Sequence, residues 1–329
     1  MVGRKKLMKK LVEIKNLIRH FPVQKGIFKR TVGLVKAVDN VSLDIYEGET
    51  LGLVGESGCG KSTLGKLLIR LLNPTSGDII FNNKNLTSYS NKELRKQRQY
   101  FQIIFQDPNS SLDPRATIGN SIEEGLVIHG VKNSQERQKR ISEILNLVGI
   151  SANAIERFPH EFSGGQRQRI VIARALILKP KLVVCDEPVS ALDVSVQAQV
   201  LNLLNDLKNE LSLTLLFISH NLSVVENVSD RIAIMYLGQI IESLDSSKFA
   251  VSCKHPYSEA LLSAIPLPDP NIQKQRIVLK GDVPSPINPP SGCRFHTRCP
   301  KKISICDKSE PVLLELAEDH KASCHLLSR

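Results

Sequence analysis

No stretch of this chain is uncharged and apolar over the roughly 18 to 20 residues that a membrane-crossing helix needs. The best runs are broken by Lys179, Lys181 and Asp186, so any membrane role is expected to be peripheral. The opening segment MVGRKKLMKKLVEIKNLIRHF is basic, but Glu13, Lys15 and Arg19 interrupt its apolar residues. It lacks the apolar core of a secretory signal, and a cytosolic location is expected. Self-similarity at a period of about 20 to 50 residues is missing too, which excludes solenoids and tandem duplications. Nor is there a compositional extreme, since 41% hydrophobic and 23% charged residues exclude a disordered or fibrous chain.

The 329 residues present suffice for one large domain plus an appendage, or for two medium domains. A formal charge of +11 points to an anionic partner: nucleic acid, nucleotide or an acidic membrane surface. Charge alone does not choose among them. The seven cysteines do not predict a disulfide framework in the cytosol, where thiols stay reduced.

Alternating apolar and polar residues at Leu11-Val12-Glu13-Ile14 and Val41-Ser42-Leu43-Asp44-Ile45 predict antiparallel strands with one wet face, and Glu47-Gly48 a turn. Thr50 to Val54 reads as a short apolar strand. A Gly-rich loop follows, then a helix carrying Leu64, Leu67, Leu68, Leu71 and Leu72 that stops at Asn73-Pro74. From about Asp107 to Lys179 the signals are helical, including Ile118 to Gly130 and Arg137 to Val148. Strand Leu182 to Cys185, helix Val196 to Leu211 and strand Leu213 to Ser219 imply a parallel sheet with covered faces. Beyond about Ser246 the texture turns Pro-rich, with Pro284, Pro286, Pro289 and Pro290.

Gly55-Glu56-Ser57-Gly58-Cys59-Gly60-Lys61-Ser62 fits the phosphate-binding pattern G-x-x-x-x-G-K-[ST], placed between a strand and a helix as the pattern requires. Glycines let backbone N–H groups face phosphate oxygens, Lys61 adds charge, Ser62 can ligate Mg²⁺, and Thr63 joins the same helix end. The apolar run Leu182-Val183-Val184-Cys185 ends in Asp186 and Glu187, which puts two carboxylates at the carboxyl edge of the sheet. Asp186 is suited to Mg²⁺ and Glu187 to polarising a water. A strand followed by an ordinary acidic turn is the bland alternative, and it loses ground only because the phosphate loop is present. In Phe162-Ser163-Gly164-Gly165-Gln166-Arg167-Gln168-Arg169, Ser163 can cap a helix starting near Gln166, and two glycines let a phosphate approach.

That last segment resembles the signature of ABC-type ATPases. The resemblance implies a head-to-tail dimer, in which Ser163, Gly164, Gly165 and Gln166 of one subunit close over ATP held by the other. It also implies that Gln106 contacts Mg²⁺ and links the ATP site to the helical insert and a transmembrane partner. Asp193, in Ser190-Ala191-Leu192-Asp193, would cross the dimer interface, and His220 would sense the γ-phosphate. The family's adenine-stacking aromatic has no clear counterpart, since the nearest position holds Val32, with Phe28 close by. Pro159-His160-Glu161-Phe162 and His255-Pro256-Tyr257-Ser258-Glu259-Ala260-Leu261-Leu262 are similar to the peptide-transporter ATPases, which serve dipeptide, oligopeptide and nickel importers. The partners so implied are two transmembrane permease subunits, a homologous ATPase subunit in a heterodimer and an extracytoplasmic solute-binding protein, with no nucleic acid, at the cytoplasmic face of the membrane. The alternative is a soluble ABC ATPase acting on nucleic acid or ribosomes. That type usually carries two cassettes or long heptad or zinc-bearing insertions, and lacks the His-Pro-Tyr segment.

The expected fold class is α/β: a P-loop ABC-ATPase core with parallel sheet, antiparallel β subdomain and helical insert, plus a small loop-rich C-terminal metal-binding appendage. The core spans residues 1–245, with the insert at about 107–179, and the appendage residues 246–329. In the appendage Cys293, Cys299, Cys306 and Cys324 are spaced C-x5-C-x6-C-x17-C. An iron-sulfur cluster accepts such wide spacing better than zinc, which favours a short C-x2-4-C knuckle; zinc and free thiols remain open. The resemblance adds a 4Fe-4S cluster bound by these four. Arg294, His296, Arg298, Lys301 and Lys302 are expected to surround the site and would offset the cluster's charge; the bland alternative is a solvated basic face.

Overall fold

The computed structural model describes residues 9–26, 30–265 and 276–328. The described chain forms two compact units that interleave in sequence. One contains Ser88–Ile218 with the turn Tyr46–Glu49, and the other Lys9–Ile45, Thr50–Thr87 and the chain from Ser219 onward.

The unit built on Ser88–Ile218 holds three parallel strands, Phe101–Ile104, Leu182–Asp186 and Thr214–Ser219, with the acidic strand in the middle. Every residue of Leu182–Asp186 is buried, as a parallel strand covered on both faces requires. Helices fill the expected insert, and no strand occurs between residues 107 and 179. Helix Ile118–Ile128 buries Ile118, Ile122 and Leu126 at helical spacing against helices Ser134–Leu147 and Gly164–Leu176. Helix Ser134–Leu147 begins three residues before the expected Arg137. The cause is Asn133, whose side chain accepts the Glu136 N–H at 3.1 Å and caps the helix.

The other unit carries an antiparallel sheet in the order Arg30–Tyr46, Lys10–Lys25, Ser76–Phe81, Lys84–Asn85. Along Val41 to Ile45 buried and exposed residues alternate as expected. Strand Lys10–Lys25 shifts register between Lys15 and Ile18, where Asn16 takes φ +46° and inserts a bulge. Thr50–Val54 lies parallel to Arg231–Tyr236, which pairs with Gln239–Asp245. The helix after the Gly-rich loop is shorter than expected: it spans Lys61–Leu68. Arg70 turns left-handed at φ +54° and leaves Leu71 41% exposed, so Leu71 and Leu72 lie outside the helix.

The tail adds regular structure that its loop-like composition conceals. Strands Leu314–Ala317 and His320–Ala322 form a hairpin that extends the sheet through Glu242 opposite Ala322. His255 is 1% exposed; its Nδ1 accepts the Tyr257 N–H at 3.1 Å, while its own N–H donates to Glu242 at 3.0 Å. With Pro256 at the first helical position, this caps helix Pro256–Ser263. Burial pushes the imidazole from 6.5 down to about 3. The folded chain therefore binds fewer protons than the unfolded one between those values, and stability present above about pH 6.5 is lost as pH falls toward 3. Between about pH 7.5 and 5.5 this costs about 1 kcal/mol. His255→Asn keeps a capping side chain without the titration, and urea midpoints of this variant are expected to fall less over that interval than those of the parent. An equal fall in both would refute the role.

Candidate nucleotide site

The phosphate-loop pattern is met by a loop that only glycine can form at two points. A Cβ on Gly55 would lie 2.2 Å from the Met235 carbonyl oxygen, and one on Gly60 2.0 Å from that of Ala37. Gly60 also holds φ +111°, a left-handed conformation costly for other residues. At Gly58 the space a Cβ would take is open, so the loop keeps room beside its backbone. Lys61 is 5% exposed, and its ammonium donates to the carbonyls of Gly55 at 2.7 Å and Glu56 at 3.1 Å. This stores the cation inside the loop, where an anion's oxygens can take over those contacts. Burial pushes the neighbouring Cys59 thiol up, so it stays protonated and inert. Ser62 and Thr63 occupy the first turn of helix Lys61–Leu68. His220 directly follows strand Thr214–Ser219 and is exposed.

In the Ser88–Ile218 unit, Asp186 ends its strand at 6% exposure. The next residue, Glu187, sits at φ +51°, a strained conformation for a non-glycine residue. It is held by its N–H donating to the Ile218 carbonyl at 3.0 Å and by Ser190 Oγ donating to its own carbonyl at 3.1 Å. The Gln106 amide donates to Glu187 Oε2 at 3.2 Å, so these two sequence-derived residues do meet. Beneath them burial raises the Cys185 thiol to about 12.

Ser163 caps helix Gly164–Leu176 reciprocally: its Oγ accepts the Gln166 N–H at 3.3 Å, and Gln166 Oε1 accepts the Ser163 N–H at 3.0 Å. Ser163, Gly164 and Gln166 are exposed, leaving a helix N-terminus open to an anion. A Cβ on Gly165 would come 2.5 Å from Val196 Cγ1, so glycine here lets two helices approach. Asp193 caps the second of them, Val194–Leu211, accepting from Val196 N–H at 3.0 Å. That bond, with the Ser195 hydroxyl, keeps its carboxyl below the usual range. Val32 is 60% exposed, while Phe28 lies outside the described residues.

Most of the tail's positive residues have partners of their own, and His296 Nδ1 lies 2.9 Å from the Cys293 carbonyl. Arg294 donates to Asp39 and to the Leu237 carbonyl, Lys301 to Glu259 at 2.5 Å, and Lys302 pairs with Asp307 at 3.0 Å. Arg298 forks onto Glu56 of the phosphate loop. Cys293 N–H donates to the Cys306 carbonyl at 2.8 Å. Burial raises the Cys293 thiol to about 11, and Cys306, Cys324 and Cys299 add to the rise, so the four share one neighbourhood. Among the described residues, however, no group of three or more His, Cys, Asp or Glu side chains is arranged to hold a metal ion. The metal-binding character expected of the appendage is therefore not supported by a formed site. No helix of the described residues is long and apolar enough to cross a membrane.

Residues 38–190 match the family described as ABC transporter. Two solved structures share the fold with a TM-score of 0.63 each. The ATP-binding cassette MJ0796, a dimer in a post-hydrolysis state bound to ADP and phosphate, is 29% identical and spans 71% of this chain and 98% of its own. The cbiO1 protein of Clostridium perfringens, part of the ABC transporter complex cbiONQ, is 28% identical over 73% and 90%. The chain belongs to the ABC transporter family as an ATP-binding subunit, and is an ATPase. Within that family it falls in the oligopeptide/dipeptide group, whose C-terminal region matches residues 241–306. The oligopeptide transport ATP-binding protein AppF of Bacillus subtilis is 50% identical over 97% of this chain and 98% of its own length. The putative oligopeptide transport ATP-binding protein YkfD of the same species is 51% identical over 96% and 95%. A putative peptide import ATP-binding protein of Brucella ovis is 50% identical over 95% and 97%.

Proposed function

We propose that this chain binds and hydrolyses ATP at the cytoplasmic face of the membrane to power import of dipeptides or oligopeptides. It would act with two permease subunits, a homologous ATPase subunit and an extracytoplasmic solute-binding protein. The observation that carries the substrate class is the near full-length identity to peptide-import subunits, which includes the His-Pro-Tyr tail. In this reading Gly55 to Thr63 cradle the phosphates, and Lys61 leaves the Gly55 and Glu56 carbonyls for phosphate oxygens. Ser62, Asp186 and Gln106 offer hydroxyl, carboxylate and amide oxygens, a donor set that suits Mg²⁺; the ion would offset charge on the phosphates. Glu187, oriented by Gln106, takes a proton from the attacking water, and His220 reads the γ-phosphate. The exposed capped start at Ser163 to Gln166 completes the partner's site, with Asp193 beside the interface. Residues 1–245 would form the ATPase part and residues 246–329 the appendage. Nothing in the fold or the comparisons favours a nucleic-acid role. The substrate class is tested by competition in uptake assays: unlabelled oligopeptides should block labelled peptide entry, and free amino acids should not.

For the tail, the proposal is a 4Fe-4S cluster on Cys293, Cys299, Cys306 and Cys324, in a structural or regulatory role. Their shared neighbourhood supports it, because a cluster spreads its thiolates wider than one ion does. Anaerobically purified protein is expected to be brown, with iron and sulfide at about four each per chain. Cys306→Ala should lose both while still binding nucleotide. A colourless protein with one zinc would refute the cluster alone.

A further inference from the structure

The phosphate loop is gripped from the C-terminal tail through a single residue, Glu56. Arg298 Nη1 donates to Glu56 Oε2 at 2.8 Å, and Nη2 donates to Oε1 at 3.1 Å. The Arg298 side chain is 9% exposed and that of Glu56 27%, so this two-pronged contact is partly shielded from water, and its planar geometry fixes the carboxylate in orientation as well as position. The Glu56 N–H donates to the Tyr257 hydroxyl at 3.1 Å, which fixes the preceding peptide plane. On its other side Glu56 offers its carbonyl to the Lys61 ammonium at 3.1 Å.

Both anchors are stiffly held. The rings of Tyr257, Tyr236 and Phe295 meet with centroids 4.8 to 5.4 Å apart, and Arg298 N–H donates to the Phe295 carbonyl at 3.0 Å. Arg294, four residues earlier, ties the same segment to Asp39 and to the Leu237 carbonyl. Arg298 is thus a half-buried guanidinium aimed at the second residue of the phosphate-binding loop.

We infer that Arg298 and Tyr257 are positioning residues of the nucleotide site, holding Glu56 so that the tail sets the affinity for ATP. The inference rests on the reading of Gly55 to Ser62 as the ATP-binding loop. Two effects combine. The fork keeps the Glu56 backbone, and with it the Lys61 ammonium, in place, and the guanidinium neutralises a carboxylate that would otherwise repel a polyanion.

The test is titration of the purified full-length chain with a fluorescent ATP analogue, with melting curves to monitor folding and Lys61→Ala as reference. Arg298→Ala is expected to raise Kd about 10-fold, and in the assembled transporter to raise KM with kcat within about twofold. Arg298→Lys, which keeps the charge but not the fork, should fall between. Adding Glu56→Gln to Arg298→Ala removes the stranded charge and is expected to recover part of the lost affinity. Tail packing alone would leave the double variant no tighter than Arg298→Ala, and that result would overturn the inference. So would Arg298→Ala binding as the parent does while Lys61→Ala has lost binding. If Lys61→Ala itself bound normally, the loop reading would fail and take the inference with it.

Discussion

Glu187→Gln is expected to slow ATP hydrolysis by about 10³-fold, equivalent to about 4 kcal/mol of barrier, with ATP binding intact. The substitution keeps shape and removes only the capacity to take a proton. An amide oxygen can still accept the Gln106 N–H that now reaches Glu187 Oε2 at 3.2 Å. The strained φ of +51° at this position belongs to the backbone, and its supports from Ile218 and Ser190 do not involve the carboxylate. The loss therefore reports chemistry and not misfolding. Single-turnover hydrolysis by the assembled transporter, beside nucleotide binding, checks it. A normal rate would remove Glu187 from the role of base.

Lys61→Ala should fail at the earlier step, with ATP affinity falling about 100-fold, or about 3 kcal/mol, the scale of a buried charge-assisted contact. The lysine is buried and already surrounded by loop carbonyls, so no other cation is positioned to replace it within the loop. The two variants separate binding from catalysis: equilibrium titration should register the first strongly and the second barely. Equal affinities for Lys61→Ala and the parent would contradict the assignment.

Much of this was legible in the sequence because the responsible forces are local. The glycines of the phosphate loop are dictated by backbone approaches and a left-handed φ. The acidic strand is readable because a strand buried on both faces must be apolar throughout until its end. The capped signature helix is readable because Ser163 and Gln166 lie three residues apart. What escaped depends on contacts with no local trace. The grip of Arg298 on Glu56 spans 242 residues of sequence, and the basic cluster around it suggested instead a counter-charge for the cysteines. The Leu314–Ala322 hairpin was hidden by its Pro-rich surroundings, although Leu314-Glu315-Leu316-Ala317 alternates weakly and Asp319 turns at φ +61°. The early end of helix Lys61–Leu68 was masked because Leu71 and Leu72 continue the helical spacing past the left-handed Arg70.

Proteoliposomes carrying the complete transporter, loaded with ATP and given a labelled oligopeptide outside with the solute-binding protein, bring these roles together in one reading. The expected result is ATP-dependent peptide accumulation that is lost with Glu187→Gln and with Lys61→Ala, although both variants assemble. Peptide accumulation without ATP, or undiminished in the Glu187→Gln transporter, would contradict the account.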